Sequence, residues 1–300
     1  MLNPAKSMTH AHLLSVVNTE SCRFPAGEVV SVLDMGCGDG HLIGYLSQNL
    51  PVLNPPVTYE IFGFDVGDHG VQRANFLDAT IETLSVQFPG IAWRERVVSI
   101  STNDTWPYPD EFFDIVLSNQ VLEHIADHDM VFSEIYRTLR YGGFSVHLFP
   151  LKNCLYESHL HLPLAHKIVN FDLSISYIKL LSRLGLGKFK GSSVDLDTFT
   201  EQNADYMHFF TNYLSYGEAL RLAKKHRLRV SFRYTREFYA RKLRSILSLK
   251  NDYMYSKNRA GFIDWLSIMI LRYVSSITLF LEKRETYTGK ISTNWTHPGR

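Results

Sequence analysis

The stretch "VVSVLDMGCGDGHLIGYLSQNL", residues 29–50, constrains the fold of this chain more than any other. A mostly apolar run ends in Asp34, three glycines follow at every second position (Gly36, Gly38, Gly40), and Leu42, Leu46 and Leu50 then recur at helical spacing. An apolar run without alternation suits a strand covered on both faces. Leucines four residues apart give a helix one apolar face. The local expectation is therefore strand, glycine turn, helix. Glycine is required in such a turn where φ is positive, or where a Cβ would touch a ligand. A tight turn with no ligand is the plainer alternative, and three glycines within five residues disfavour it.

The same rhythm continues. "YEIFGFD" (59–65) reads as a second strand ending in an acid, "VQRANFLDATIETLSVQF" (71–88) as a helix, "ERVVSI" (95–100) as a third strand and "FFDIVLS" (112–118) as a fourth. Asp127 is placed to cap a helix on which Phe132, Ile135, Tyr136 and Leu139 share a face. "YGG" (141–143) is expected to end it, and "FSVHLFP" to form a fifth strand. Repeated β-α units argue for a mostly parallel sheet covered by helices, an α/β fold. After Pro150 the rhythm breaks, and residues 151–213, rich in His, Leu, Tyr and Ser, read as a helical insert or lid. "SYGE" (215–218) has capping-box spacing and opens a helix to about Arg227. "LRVSFRYTRE" reads as a sixth strand and "SITLFLEK" (276–283) as a seventh, a candidate for a sheet edge. The expected organisation is an N-terminal helical segment (1–27), a core (28–150), a helical insert (151–229), C-terminal strands and helix completing the sheet (230–286) and a mobile tail (287–300).

Composition excludes little. A net charge of +1 gives no overall signal for nucleic acid or membrane, and Cys22, Cys37 and Cys154 share no close spacing, so no disulfide framework or zinc knuckle is readable. The N-terminal stretch lacks the long apolar core of a signal peptide, and the expected setting is cytoplasmic. "WLSIMILRYVSSITLFL" (265–281) is short for a membrane span and carries Arg272, so it is read as buried core.

The ligand class follows from the loop's charge. The dinucleotide fingerprint is G-x-G-x-x-G; here the third glycine comes one place early and Asp34 and Asp39 flank the loop. Negative charge repels a pyrophosphate and suits a ligand bearing an ammonium and a sulfonium. At these residues the chain resembles the class I S-adenosylmethionine-dependent methyltransferases, in particular their small-molecule methyltransferase-like subgroup. "VLDMGCGDG" (32–40) is similar to their first motif and "FGFDVG" to their second. "WPYPDEFFDIVLSNQVLEHI" (106–125) is similar to the segment leading into the fourth strand, and "IYRTLRYGGFSVHLFP" (135–150) to the run into the fifth. The resemblance covers about residues 28–150. It implies a Rossmann-like sheet of about seven strands with a helical insert after the fifth, and S-adenosylmethionine as cofactor with S-adenosylhomocysteine as product. It further implies a cofactor site built from Asp34, Gly36, Cys37, Gly38, Gly40, Asp65, Val66, Ser118 and Asn119. Asp65 would accept both ribose hydroxyls. Many relatives carry an acid after the third strand that meets the adenine amino group; the region reads "SISTNDTW", so Asn103 or Asp104 would serve.

Methyl transfer from a sulfonium is an in-line displacement, and a base is needed only for a poorly acidic acceptor such as a sugar hydroxyl. His124, in "VLEHI", and His159 and His161, in "ESHLHLPLAH" (157–166), are the candidate bases. For His124 the plain alternative is a hydrogen-bonded residue that orients its loop. His159, His161 and His166 with Glu157 suit a divalent metal in principle, an acceptor pocket or a structural role. The spacing matches no tight zinc motif, and no metal is assigned. Residues 221–250 hold eleven Lys and Arg against one acid, Glu237, read either as a solvated face or as a site for an anionic acceptor. The insert "KNCLYESHLHLPLAHKIVN" loosely resembles methyltransferases of surface-polysaccharide and natural-product pathways. The expected reaction is O-methylation of a small molecule or glycan. The rivals are a lipid or isoprenoid acceptor at a membrane surface, and a non-catalytic binding protein that kept the fold. Nucleic acid is disfavoured as a partner, because "SNQV" stands where methyltransferases of exocyclic base amines carry N/D-P-P-Y/F.

Overall fold

The computed structural model describes residues 2–67, 76–256 and 261–284. Strand β1 (Val29–Met35) is buried from Val30 onward, as a strand covered on both faces must be. Its side chains alternate: Val30 and Val32 join one apolar cluster, Leu33 and Met35 the other. Strands β2 (Thr58–Val66), β3 (Val97–Ile100), β4 (Phe113–Asn119) and β5 (Leu139–Pro150) form the parallel part of the sheet. It is extended by β6 (Leu228–Ser231) and β7 (Ser276–Lys283), giving the order β3-β2-β1-β4-β5-β7-β6 among the described residues. β7 runs antiparallel to both of its neighbours. The chain leaves β1 toward β2 on one side and later returns to β4 on the other. The carboxyl ends of β1 and β4 therefore flank a crevice, where open α/β sheets bind ligands.

Helices cover both faces. On one lie α1 (Met8–Ser21), α2 (His41–Leu53), α3 (Phe76–Gln87) and α8 (Thr235–Ile246); on the other lie α4 (His128–Thr138), α7 (Tyr216–Lys225) and α9 (Gly261–Leu271). Leu42, Leu46 and Leu50 are all buried on α2, each worth about 2 kcal/mol of apolar burial. The Asp127 carboxylate accepts from Met130 N–H at 3.0 Å, and Ser215 and Glu218 form the full capping box. Between β5 and α7, helices α5 (Phe171–Arg183) and α6 (Leu196–Phe209) pack together over a separate cluster that includes Leu160, Leu162, Ile178, Phe199 and Met207.

Several expectations are corrected. β7 is not an edge: all eight of its residues are buried and it pairs on both sides, leaving the short β6, with its charged Arg229, outermost. The glycines at 142–143 lie inside β5, because α4 has already ended at Thr138. Ala219 and Ala223 of α7 and Leu228 of β6 pack into the main core, apart from the cluster under α5 and α6. The run 265–281 splits: residues 276–281 are buried in β7, whereas α9 buries Ile268 and exposes Trp265 (53%) and Ile270 (62%), with Phe262 (70%) beside them. One strand fills the space against β5, and no element of the described chain covers the outer face of α9. Among the described residues no helix is long and apolar enough to cross a membrane. The start of the helix expected over 71–88 and the tail 287–300 lie outside the described residues.

Candidate active site

The glycine loop turns at the carboxyl end of β1. Gly36, Gly38 and Gly40 have φ of +70°, +50° and +70°, which a side chain rarely tolerates. Gly36 N–H and Cys37 N–H both donate to the Phe64 carbonyl, at 2.9 and 3.0 Å, and tie the loop to the end of β2. A Cβ at Gly36 would lie 2.6 Å from Val121, and one at Gly40 would lie 2.8 Å from Thr80. A Cβ at Gly38 would meet no protein atom within 4 Å. Two glycines thus serve packing, and Gly38 is the one that faces open space.

That space is a cleft of about 290 Å³ at the ends of β1–β4, with Phe64, Trp106 and Val121 among its apolar walls. Asp65 lines it; its Oδ2 accepts from Gly38 N–H at 2.6 Å and its Oδ1 from Val66 N–H at 2.8 Å. Asp34 lies 2% exposed below the loop, and its Oδ2 has no hydrogen-bond partner among the described residues. Burial, and then the charges of Asp65 and Asp39, push the Asp34 carboxyl well above the usual carboxylate range. A cationic ligand beside it offsets both causes. The loop and the strand-end carboxylate fit S-adenosylmethionine, with Asp65 suited to the ribose hydroxyls and Gly38 leaving room beside it, whereas Asp34 lies buried outside the lining of the cleft.

Of the residues singled out in the sequence, Gly36, Gly38, Asp65, Val66, Asp104, Asn119 and His124 line the cleft. Others do not. Ser118 is fully buried on the opposite face of β4 from Asn119, with its hydroxyl 2.8 Å from His147 Nδ1, as strand alternation requires. Cys37 belongs to the apolar core, and burial together with Asp34 pushes its thiol up. Asn103 is exposed and lies outside the lining, whereas Thr102 and Asp104 are in it. Gly40 caps α2 and packs on α3.

Beyond Asn119 the chain makes a tight turn. Gln120 takes φ +58°, a left-handed backbone that costs a side chain about 1–2 kcal/mol. A 3-10 turn, Leu122–His124, follows. Glu123 is completely buried, and neither carboxylate oxygen has a hydrogen-bond partner among the described residues. Burial pushes its pKa up to about 8, against the pull of its own backbone N–H, and the Glu157 charge adds to the rise. His159 Nε2 lies 4.0 Å from Glu123 Oε1, and His159 Nδ1 lies 2.6 Å from Glu157 Oε1. Burial alone would raise Glu157, but the His159 hydrogen bond and charge and two backbone N–H bonds hold it below the ordinary range. His124 stands edge-on to His159, with ring centroids 5.1 Å apart. Its Nδ1 donates to the Phe210 carbonyl at 2.7 Å, and its Nε2 faces the Tyr206 hydroxyl at 3.3 Å. Asn212, following α6, clamps the turn through the Glu123, Ile125 and Ala126 carbonyls.

The structure therefore brings His124 and His159 together and leaves His161 and His166 out. His161 stacks on Tyr156, and His166 lies near the Lys152 carbonyl, Cys154 and the Tyr213 ring. Glu123 and Tyr206 were missed in the sequence: "VLEHI" draws attention to its histidine, and Tyr206 reaches the site from a helix 82 positions away. A second cleft of about 720 Å³ contains His159, His161, Tyr156, Tyr239, Lys188 and Lys242, and Gln120 borders both clefts. The basic stretch does not form one anion site. Arg233 pairs with Glu20, Arg241 is buried against Ser15, Arg229 meets Glu282 and Lys225 meets Asp129, while Lys242 borders the second cleft.

Residues 33–147 match the family model described as a methyltransferase domain. Among curated proteins, the arginine-hydroxylase NDUFAF5 of Rattus norvegicus is 26% identical over 170 residues, covering 55% of this chain and 43% of the rat protein. The biotin biosynthesis bifunctional protein BioHC of Teredinibacter turnerae is 29% identical over 114 residues, covering 38% of this chain and 18% of that protein. The chain thus spans less than half the length of these curated relatives. Among solved structures, the YcgJ protein of Bacillus subtilis aligns over 92% of this chain and 100% of its own, at 15% identity and a TM-score of 0.46. The family match begins within β1, takes in the glycine loop and Asp65, and ends within β5. With the cleft at the ends of the strands bordered by the glycine loop and Asp65, residues 33–147 form a class I S-adenosylmethionine-dependent methyltransferase domain.

Proposed function

We propose that the protein methylates a hydroxyl of a small-molecule or glycan acceptor. One observation carries this reading: the His124–His159–Glu123 cluster stands where the cofactor cleft and the second cleft approach each other. His124 borders the first cleft and His159 the second. Bound S-adenosylmethionine supplies a methyl group on a sulfonium, open to in-line attack by an oxygen. Asp65 orients the ribose and Asn119 flanks the methionine side, while Thr102 and Asp104 stand at the adenine end. The second cleft receives the acceptor: Tyr156 and Tyr239 offer ring faces for a sugar, and Lys188 and Lys242 favour an anionic group. Glu157 holds the His159 ring so that its Nε2 lone pair faces the junction, where the acceptor hydroxyl is activated. Transfer then requires the acceptor oxygen and the methyl carbon to be held in line.

The test is transfer of labelled methyl from S-adenosylmethionine into cell extract, fractionated into glycan, small-molecule, lipid and nucleic-acid pools, with Asp65→Ala and His159→Asn alongside. Label in the glycan or small-molecule pool, lost in both variants, is the expected result. Label confined to nucleic acid, or transfer untouched by His159→Asn, refutes the proposal.

The outer face of α9 favours a second reading, an acceptor carried on a lipid at a membrane surface. Phe262, Ile263, Trp265, Leu266 and Ile270 are exposed there. Leu243, Ile246 and Val274 continue apolar surface to the rim of the second cleft. Such a face suits shallow insertion at the headgroup boundary. Co-sedimentation with anionic vesicles at physiological salt, lost in Trp265→Ser, is expected on this reading; failure of the wild type to sediment removes it.

A further inference from the structure

We propose that Glu123, His124 and His159 bind a divalent first-row transition-metal cation. One ligand atom from each lies within 4.8 Å of the other two. Ligands bonded to one cation at about 2.1 Å sit about 3–4 Å apart, so side-chain rotations of about 1 Å complete the site. The carboxylate supplies the strongest indication. Glu123 is 0% exposed, and both of its oxygens lack a hydrogen-bond partner among the described residues. A buried carboxylate left in that condition is costly unless something positive meets it.

The histidines are turned to serve. His124 Nδ1 lies 2.7 Å from the Phe210 carbonyl, which can only accept, so the proton sits on Nδ1 and the lone pair on Nε2, where the Tyr206 hydroxyl at 3.3 Å must yield to the cation. His159 Nδ1 is likewise committed to the Glu157 carboxylate, and its Nε2 faces Glu123. A carboxylate behind an imidazole is the usual outer support of a metal-bound histidine. Glu157 therefore acts from behind His159 and not as a ligand, contrary to the grouping with His161 and His166 that the sequence suggests. Two nitrogens and one oxygen suit manganese, iron, cobalt or zinc better than magnesium or calcium.

Three protein ligands leave a position for a further ligand, and the cluster borders both clefts. The role follows if the hydroxyl acceptor of the preceding section is correct, and this part of the inference rests on that reading. The cation takes the acceptor oxygen and lowers its pKa. The O–H bond breaks with its proton passing to solvent, the new C–O bond forms, and the methyl–sulfur bond breaks with its electron pair left on sulfur.

The binding test does not require turnover. Full-length protein freed of metal with EDTA is dialysed and titrated with Co2+ alone, reading the visible ligand-field band and bound cobalt per chain. One Co2+ per chain is expected in the wild type and in His161→Asn. Glu123→Gln and His159→Asn should weaken binding by about 100-fold or more, while keeping S-adenosylhomocysteine affinity within about twofold of wild type as proof of folding. Absence of Co2+ binding in the wild type, or equal binding in both variants, overturns the site whatever the acceptor proves to be.

Discussion

Gly36 and Gly38 stand two residues apart in one loop, both at positive φ, yet replacing each by alanine should fail in a different way. At Gly36 the new methyl carbon would sit 2.6 and 2.8 Å from the two Val121 methyls. The left-handed backbone costs a Cβ about 1–2 kcal/mol, and forcing a methyl into a packed site adds about 1–3 kcal/mol. Gly36→Ala should therefore lose about 3 kcal/mol of stability in urea unfolding. Val121→Ala removes the clash but not the backbone strain. In the double variant the coupling between the two sites should return about 1–2 kcal/mol. At Gly38 the same substitution carries the backbone strain alone, because nothing lies within 4 Å. Its methyl enters the cleft beside Asp65 instead. Gly38→Ala should lose about 1 kcal/mol of stability, yet weaken S-adenosylhomocysteine binding in calorimetry by tenfold or more. Purely additive effects of Gly36→Ala and Val121→Ala would refute the packing argument. Undiminished affinity in Gly38→Ala would refute the placement of the ligand.

Other outcomes follow from single groups. Asp65→Asn removes a charged acceptor worth about 1.5–3 kcal/mol, so S-adenosylhomocysteine should bind roughly 10- to 100-fold more weakly with little change in Tm; a change under twofold would count against a ribose contact. His147, fully buried, has its pKa lowered to about 3 by burial, against about 6.5 when unfolded. Between those values the unfolded chain binds the extra proton, so the stability owed to this histidine is present above about pH 6.5 and is lost as pH falls. Comparing wild type with His147→Gln cancels Asp34 and Glu123, whose raised pKa values act in the opposite sense. From pH 7 to pH 5 the wild type should lose about 2 kcal/mol more than the variant in urea unfolding, and parallel pH profiles would show that His147 is not buried neutral.

The chain is legible from its residues alone where the physics is local. A buried-strand run, three glycines and an amphipathic helix need only their neighbours to become a strand–loop–helix unit, and Asp65 at the end of the next strand follows from the same repeat. The capping box at Ser215 and the cap at Asp127 are local in the same way. Tertiary structure alone decided the rest. Gly36 and Gly40 are required because of Val121 and Thr80, residues 85 and 40 positions further along the chain, whereas Gly38 faces the open cleft. Ser118 and Asn119 are adjacent in sequence, and only the alternation of a paired strand sends one into the core and the other to the cleft. The apolar run at 265–281 holds both an exposed helix face and a strand buried beneath it, a division made by which elements pack over each half. Glu123, His159 and Tyr206 meet because a turn after β4, a loop after β5 and helix α6 converge at the carboxyl ends of the strands. No spacing encodes that meeting, since the distances that define it are set by the sheet and by the helices packed against it.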